Sequence, residues 1–278
     1  MIKDLLAKYR VRPNKTMGQF FLTDQKILEK IISASNIKKT DIILEIGPGI
    51  GTLTKELGKN AGQVITVEKD KAMCQILKET LADYKNIKII NADIRYFERS
   101  SVLTNTTNYK VIANIPYYLT SPLIRQFLES KNKPEYMVLM VQKEVAQRIV
   151  ANPPKMSLLA VSAQFYADVK IISYVSKNCF WPAPKIDSAI IKLTPRKDRL
   201  PMSIQSIQLF FKVVKAGFAH PRKQLAGNLL ALSRAEGKTK TKEQISAWLI
   251  KNNISPTQRA ETLSIKDWKN LASTVDNS

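Results

Sequence analysis

The chain has 278 residues, 44% of them hydrophobic, and carries 44 Lys and Arg against 23 Asp and Glu, a formal net charge of +21. The hydrophobic share excludes a disordered chain, and the length admits one large domain or a large one with a small companion. The charge excess points to a polyanionic partner, because basic side chains displace the counterions condensed on phosphates.

Residues 1–16 are basic, with Lys3, Lys8, Arg10, Arg12 and Lys15, and admit one short helix before Pro13-Asn14. They contain no apolar core of signal-peptide length, and no later run is long enough to span a membrane. A soluble, cytoplasmic protein is therefore expected. Thr23 or Asp24 can cap a helix whose apolar positions Ile27, Leu28, Ile31 and Ile32 keep helical spacing. Asp41–Ile46 reads as a buried strand running into Gly47-Pro48-Gly49-Ile50-Gly51, with a helix from about Thr52. Val64–Val67 is the next strand and ends at Glu68, and a helix over 71–83 follows. Ile87–Ile90 ends in Asn91-Ala92-Asp93. Tyr109–Ala113 ends in Asn114-Ile115-Pro116-Tyr117-Tyr118. A helix over 121–130, a strand over Tyr136–Val141 and an amphipathic helix over Lys143–Val150 complete the alternation. Beyond 155 the pattern predicts a helix over Ala160–Phe165, a strand over Val169–Val175, a rigid loop at Phe180–Pro184 and a last strand over Ser188–Leu193. The charged, Pro-bounded stretch 195–201 reads as a domain boundary, and everything from 203 on reads as helical.

Strands alternating with helices predict an α/β fold: an open, mostly parallel, Rossmann-like sheet with helices on both faces, over residues 1–197. A small all-α domain over 198–278 is expected to follow it. Glu45, Glu68, Asp93 and Asn114 all fall at the C-terminal ends of strands, where this architecture binds its ligands. Two cysteines, Cys74 and Cys179, have no ligand-type neighbours in the sequence, so no disulfide framework and no metal site are expected.

The glycine-rich turn 47–51 lets a backbone approach a ligand closely. It lacks the Lys-Ser/Thr of a phosphate-cradling loop, since Thr52-Leu53 follow Gly51. Glu68 can accept from ribose hydroxyls, and Asp93 from an adenine amino group. An adenosine with little or no phosphate is the predicted ligand, and S-adenosylmethionine fits better than a nicotinamide cofactor. Beside such a methyl donor, the Asn114 oxygen and a backbone carbonyl at Pro116 can accept both hydrogens of an exocyclic amine and orient its lone pair, while Tyr117 stacks on the base. A target base inside a stack must first be flipped out.

Taken together, these motifs resemble the KsgA (RsmA)-type family of rRNA adenine N6,N6-dimethyltransferases, in particular its bacterial small-subunit branch. Gly18-Gln19-Phe20-Phe21-Leu22 is similar to the family's G-Q-x-F-L. Glu45–Thr54, Val67–Asp70, Asn91–Asp93 and Asn114–Pro122 resemble its four methyltransferase motifs. Gln142–Arg148, Phe180-x-Pro182-x-Pro184-x-x-x-Ser188, Arg222–Leu225 and Arg259–Ser264 resemble its later signatures. The resemblance implies a cofactor site for S-adenosylmethionine from Phe20, Leu22, Gly47, Glu68, Asp93 and Asn114. It implies a catalytic set of Asn114, Pro116 and Tyr117, and a base pocket that includes Tyr117 and Phe180. The substrate it implies is two adjacent adenosines in the 3′-terminal hairpin of 16S rRNA, within an immature 30S particle. Arg222 and Lys223 are candidate RNA contacts in a helical RNA-recognition domain. A monomer is expected.

The chain departs from the family pattern at four places. Phe20 stands where Asn or His is usual, so only a backbone or packing role carries over. The 152–158 loop is short, Ala183 replaces a usual Pro, and His220-Pro221 stands where an Arg-containing pair is common. Two other readings stay open on sequence alone: a related large-subunit rRNA methyltransferase, and an RNA-binding assembly factor whose methylation is secondary. Arg259–Ser264 favours the small-subunit branch.

Overall fold

The computed structural model describes residues 2–97, 103, 108–196, 203–235 and 240–275. The chain forms two compact units, one from residues 1–146 with 168–195 and one from 147–167 with 196–278.

The first unit opens with α1 (Ile2–Lys8), then β1 (Phe21–Leu22), α2 (Gln25–Ser35), β2 (Ile42–Ile46), α3 (Thr52–Asn60), β3 (Gln63–Glu68), α4 (Lys71–Thr80) and β4 (Ile87–Asn91). After the 98–107 segment come β5 (Lys110–Asn114), α5 (Thr120–Glu129), β6 (Met137–Gln142) and α6 (Lys143–Ile149). The remaining strands are β7 (Ala167–Val175), β8 (Phe180–Trp181) and β9 (Ser188–Pro195). A seven-stranded sheet runs in the order β4-β3-β2-β5-β6-β9-β7, and β1 pairs with β8 in a separate two-stranded ribbon. The pairs from β4 through β6 are parallel, and β9 lies antiparallel to β6.

Parallel strands with helices on both faces must be apolar on both sides. Accordingly Ile43, Leu44, Val64, Ile65, Val111 and Ile112 are completely buried. The helices begin where the sequence supplies caps. Asp24 accepts from the Ile27 N–H, and Asp70 from the Ala72 N–H. From β2 the chain moves outward through β3 to β4, and then returns to β2's other side with β5 and β6. The topological switch point therefore lies between the C-terminal ends of β2 and β5, where an open sheet leaves a crevice for ligands.

The second unit contains α7 (Leu158–Tyr166), α8 (Ile204–Gly217), α9 (Leu225–Ala235), α10 (Lys242–Lys251) and α11 (Ile265–Ser273). Sequence alone assigns residues 147–167 to the large domain. Here they group with the C-terminal helices, and aromatic packing explains why. Phe165 and Tyr166 of α7 stack on Phe210 and Phe211 of α8, with centroids 4.3 Å apart for Phe165–Phe210. Such pairs add about 0.5–1.5 kcal/mol each beyond their buried area. The predicted boundary at 195–201 falls partly outside the described residues, which stop at Arg196 and resume at Ser203. Among the described residues no helix is long and apolar enough to cross a membrane.

Candidate active site

A cleft opens at the switch point, lined by the 17–22 segment, Glu45–Leu53, Val67–Lys69, Ala92–Ile94, Asn114, Pro116, Tyr118 and Leu119.

The Asn114-Ile115-Pro116-Tyr117 turn is seated between two glycines. A Cβ on Gly47 would meet the Pro116 ring at 3.4 Å, and one on Gly18 would meet it at 3.0 Å. Both glycines hold positive φ, +65° and +71°, which L side chains rarely adopt. These two positions let the 18–20 segment and the β2 turn close on the Pro116 turn.

Asn114 sits at the end of β5 with its side-chain Nδ2 donating to the Phe20 carbonyl at 3.2 Å. That bond fixes the amide orientation and leaves Oδ1 as the acceptor. The Pro116 carbonyl already accepts the Leu119 N–H at 2.9 Å, so one of its two lone pairs is in use. Tyr117 stacks on Phe20 with centroids 5.9 Å apart and planes 24° from parallel. Its hydroxyl lies 2.7 Å from the Ser188 Oγ on β9. Burial pushes the Tyr117 phenol above its ordinary value.

The carboxylates divide the rest of the cleft. Glu68 is buried and accepts two backbone N–H groups, from Asp70 at 2.9 Å and from Gly49 at 3.3 Å. Each of its oxygens keeps a lone pair for a ligand hydroxyl. Burial raises its pKa, against the pull of those backbone donors. Asp93 is clamped by Arg95, whose Nη2 lies at 2.6 Å and Nε at 3.1 Å, and by Lys69 at 3.1 Å. The Arg95 hydrogen bond holds its carboxyl far below the usual range. Glu45 is 1% exposed, and its Oε2 has no hydrogen-bond partner among the described residues. Desolvation pushes its pKa up to about 8, partly offset by the nearby hydroxyls of Thr54 and Thr66. An orphaned, deeply buried carboxylate oxygen facing a cleft is costly unless a cation or donor from a ligand completes it. These acceptors fit an adenosine carrying a cationic amino-acid tail, with Glu68 to take the ribose hydroxyls and Glu45 the ammonium.

A family model described as ribosomal RNA adenine dimethylase matches residues 10–273. The chain belongs to that family. Members are similar to it along nearly its whole length. Ribosomal RNA small subunit methyltransferase A of Dehalococcoides mccartyi (strain ATCC BAA-2266 / KCTC 15142 / 195) is 42% identical over 97% of this chain and 90% of its own. Among solved structures, a dimethyladenosine transferase from Plasmodium falciparum superposes with a TM-score of 0.78 at 27% identity, covering 92% of this chain and 98% of its own. The 23S rRNA methyltransferase ErmE superposes with a TM-score of 0.72 at 25% identity, covering 92% of this chain and 99% of its own.

Of the residues singled out from sequence, Phe20, Leu22, Gly47, Glu68, Asp93, Asn114 and Pro116 line this cleft. Tyr117 stands just behind its wall, against Phe20. Phe180, expected in the base pocket, is instead 4% exposed in the hydrophobic core with Leu28 and Ile190. It pairs opposite Leu22 in the β1–β8 ribbon. Arg222 and Lys223 are exposed between α8 and α9 of the second unit. Sequence reasoning passed over Arg95 and Lys69. Their only signal was proximity: Arg95 follows Asp93 by two residues in a turn closed by the Tyr96 N–H on the Asp93 carbonyl, at 3.0 Å.

Proposed function

We propose that this chain transfers methyl groups from S-adenosylmethionine to N6 of two adjacent adenosines of small-subunit rRNA. The observation that carries the reading is Asn114, whose amide N–H is held by the Phe20 carbonyl and whose oxygen is left to accept. An adenine N6 amine donates one hydrogen to Oδ1 of Asn114 and the second to the free lone pair at the Pro116 turn. That pairing turns the nitrogen lone pair out of the ring plane and into the cleft. S-adenosylmethionine, when bound, supplies the electrophilic methyl group. No strong base is needed, because the nucleophile is neutral and proton loss follows methylation. In-line positioning is worth several kcal/mol of the barrier. The half-buried Tyr117 ring, stacked on Phe20, supports the base at the cleft wall. The net charge of +21 supports an rRNA substrate, and we extend the reading to an immature 30S particle, acted on by a cytoplasmic monomer.

The test is incubation with unmethylated small subunits and S-adenosylmethionine, followed by mass spectrometry of the rRNA. N6,N6-dimethyladenosine at two adjacent positions is expected. Product on large-subunit rRNA and none on small-subunit rRNA would move the assignment to the large-subunit enzymes represented by ErmE.

A further inference from the structure

Three tyrosines stand among the large, well-exposed side chains of the described residues: Tyr96, Tyr118 and Tyr174. Two of them flank the rim of the cleft. Tyr118 lines the cleft and is 51% exposed, and Tyr96, three residues past Asp93, is 82% exposed. Neither ring is explained by the core or by the methyl-transfer geometry. Arg95 accompanies them, its guanidinium 5.3 Å from the Tyr96 ring centroid. The multiple hydrogen bonds from Arg95 to Asp93 fix the orientation of that planar cation, so its position costs little further ordering on binding. Lys69 and Arg95 both pair with Asp93 here and bring two cations to the rim.

Two solvent-facing rings, a fixed guanidinium plane and a second cation make a surface for a flat base with a phosphate beside it. We propose that Arg95, Tyr96 and Tyr118 form a stacking platform for the nucleotide next to the one being methylated. The proposal rests on the assignment of the cleft as the methyl-transfer site. Everting one adenosine strips its neighbour of a stacking partner, and the platform supplies a replacement. It would hold the second adenosine while the first is modified.

The test compares Tyr96→Ala and Tyr96→Trp with the unaltered chain on unmethylated small subunits. Tyr96→Ala should raise KM for the particle about tenfold with kcat changed less than about twofold, and leave S-adenosylmethionine affinity unchanged. Tyr96→Trp should restore KM. Its added indole should also lose fluorescence when rRNA binds, measured against the chain's three native tryptophans. An unchanged KM in Tyr96→Ala, or a Trp variant as poor as Ala, overturns the platform. So does an indole signal that responds to ribosomal protein and not to naked rRNA. If the unaltered chain forms no dimethyladenosine, the assigned activity fails, and the indole response to rRNA alone still decides whether the platform exists.

Discussion

The Asn114 side chain donates to the Phe20 carbonyl across 94 positions of sequence, and this one bond sets which end of the amide the cleft receives. Asn114→Asp removes the donor and places a carboxylate against that carbonyl, so the side chain should turn away. Asn114→Ala removes the acceptor altogether. Both variants are expected to lose about 10²-fold or more in kcat, with S-adenosylmethionine affinity changed much less. Single-turnover kinetics with saturating cofactor separates the two effects. A kcat within threefold of the parent in either variant would remove Asn114 from the methyl-transfer step.

The Phe20–Tyr117 stack predicts a different pattern. Tyr117→Phe keeps the ring face and loses the contact to Ser188, at a stability cost of about 1 kcal/mol. It should retain most activity, whereas Tyr117→Ala loses the stacking surface and most of the turnover. Phe20→Leu should fall between them, because the Asn114 partner at Phe20 is a backbone carbonyl that any residue supplies. Equal losses in folded Tyr117→Phe and Tyr117→Ala would show that the ring face is not what matters.

These two contacts also mark how far the sequence could be read. The sheet is legible because its strands are apolar and polar residues follow at their C-terminal ends. Glu68, Asp93 and Asn114 were visible for that reason. Phe20 is legible only as a position limited to a backbone or packing role; which group its carbonyl holds is not, because backbone groups leave no trace in residue type. The base-pocket role of Phe180 is implied only by the family resemblance; in the fold its side chain packs among core residues such as Leu28 and Ile190. Nor does the α7 segment announce its partner. An apolar helix with Phe165 and Tyr166 at its end can pack on either unit, and only the facing Phe210 and Phe211 decide.

Gly47 offers a test of the backbone alone. Its φ of +65° means that Gly47→Ala strains the turn, while the new Cβ would rest in van der Waals contact with the Pro116 ring at 3.4 Å. The strain is worth about 1–2 kcal/mol. Activity should drop more than this stability loss explains, because relaxing the strained φ moves the turn that lines the cleft beside Pro116. Thermal melts alongside turnover check it. A variant destabilised as expected but fully active would mean that the turn tolerates displacement.

Glu45 and Thr66 lie side by side in the β2–β3 register, and the acid's burial gives the folded chain a pH signature. Its carboxyl titrates at about 8 in the fold against an ordinary 4.5. Between those values the folded state keeps a proton that the unfolded chain has released, so stability is greatest at low pH in this window and falls as pH rises toward 8. Glu68, also raised by burial and close enough to repel Glu45, adds a slope of the same sign. Glu45→Gln is permanently neutral and removes the Glu45 part, of the order of a few kcal/mol across the window. Melting temperatures from pH 5 to 8.5 should therefore converge at the acid end, with the Gln variant increasingly the more stable toward pH 8. The same carboxyl should lose its proton when a ligand ammonium arrives beside it. S-adenosylmethionine binding near pH 7 is then expected to release a proton, read as binding heats that change with buffer ionisation enthalpy. Parallel melting profiles, or binding heats independent of buffer, would show that Glu45 is ionised in the free protein and that its orphaned oxygen is satisfied by solvent.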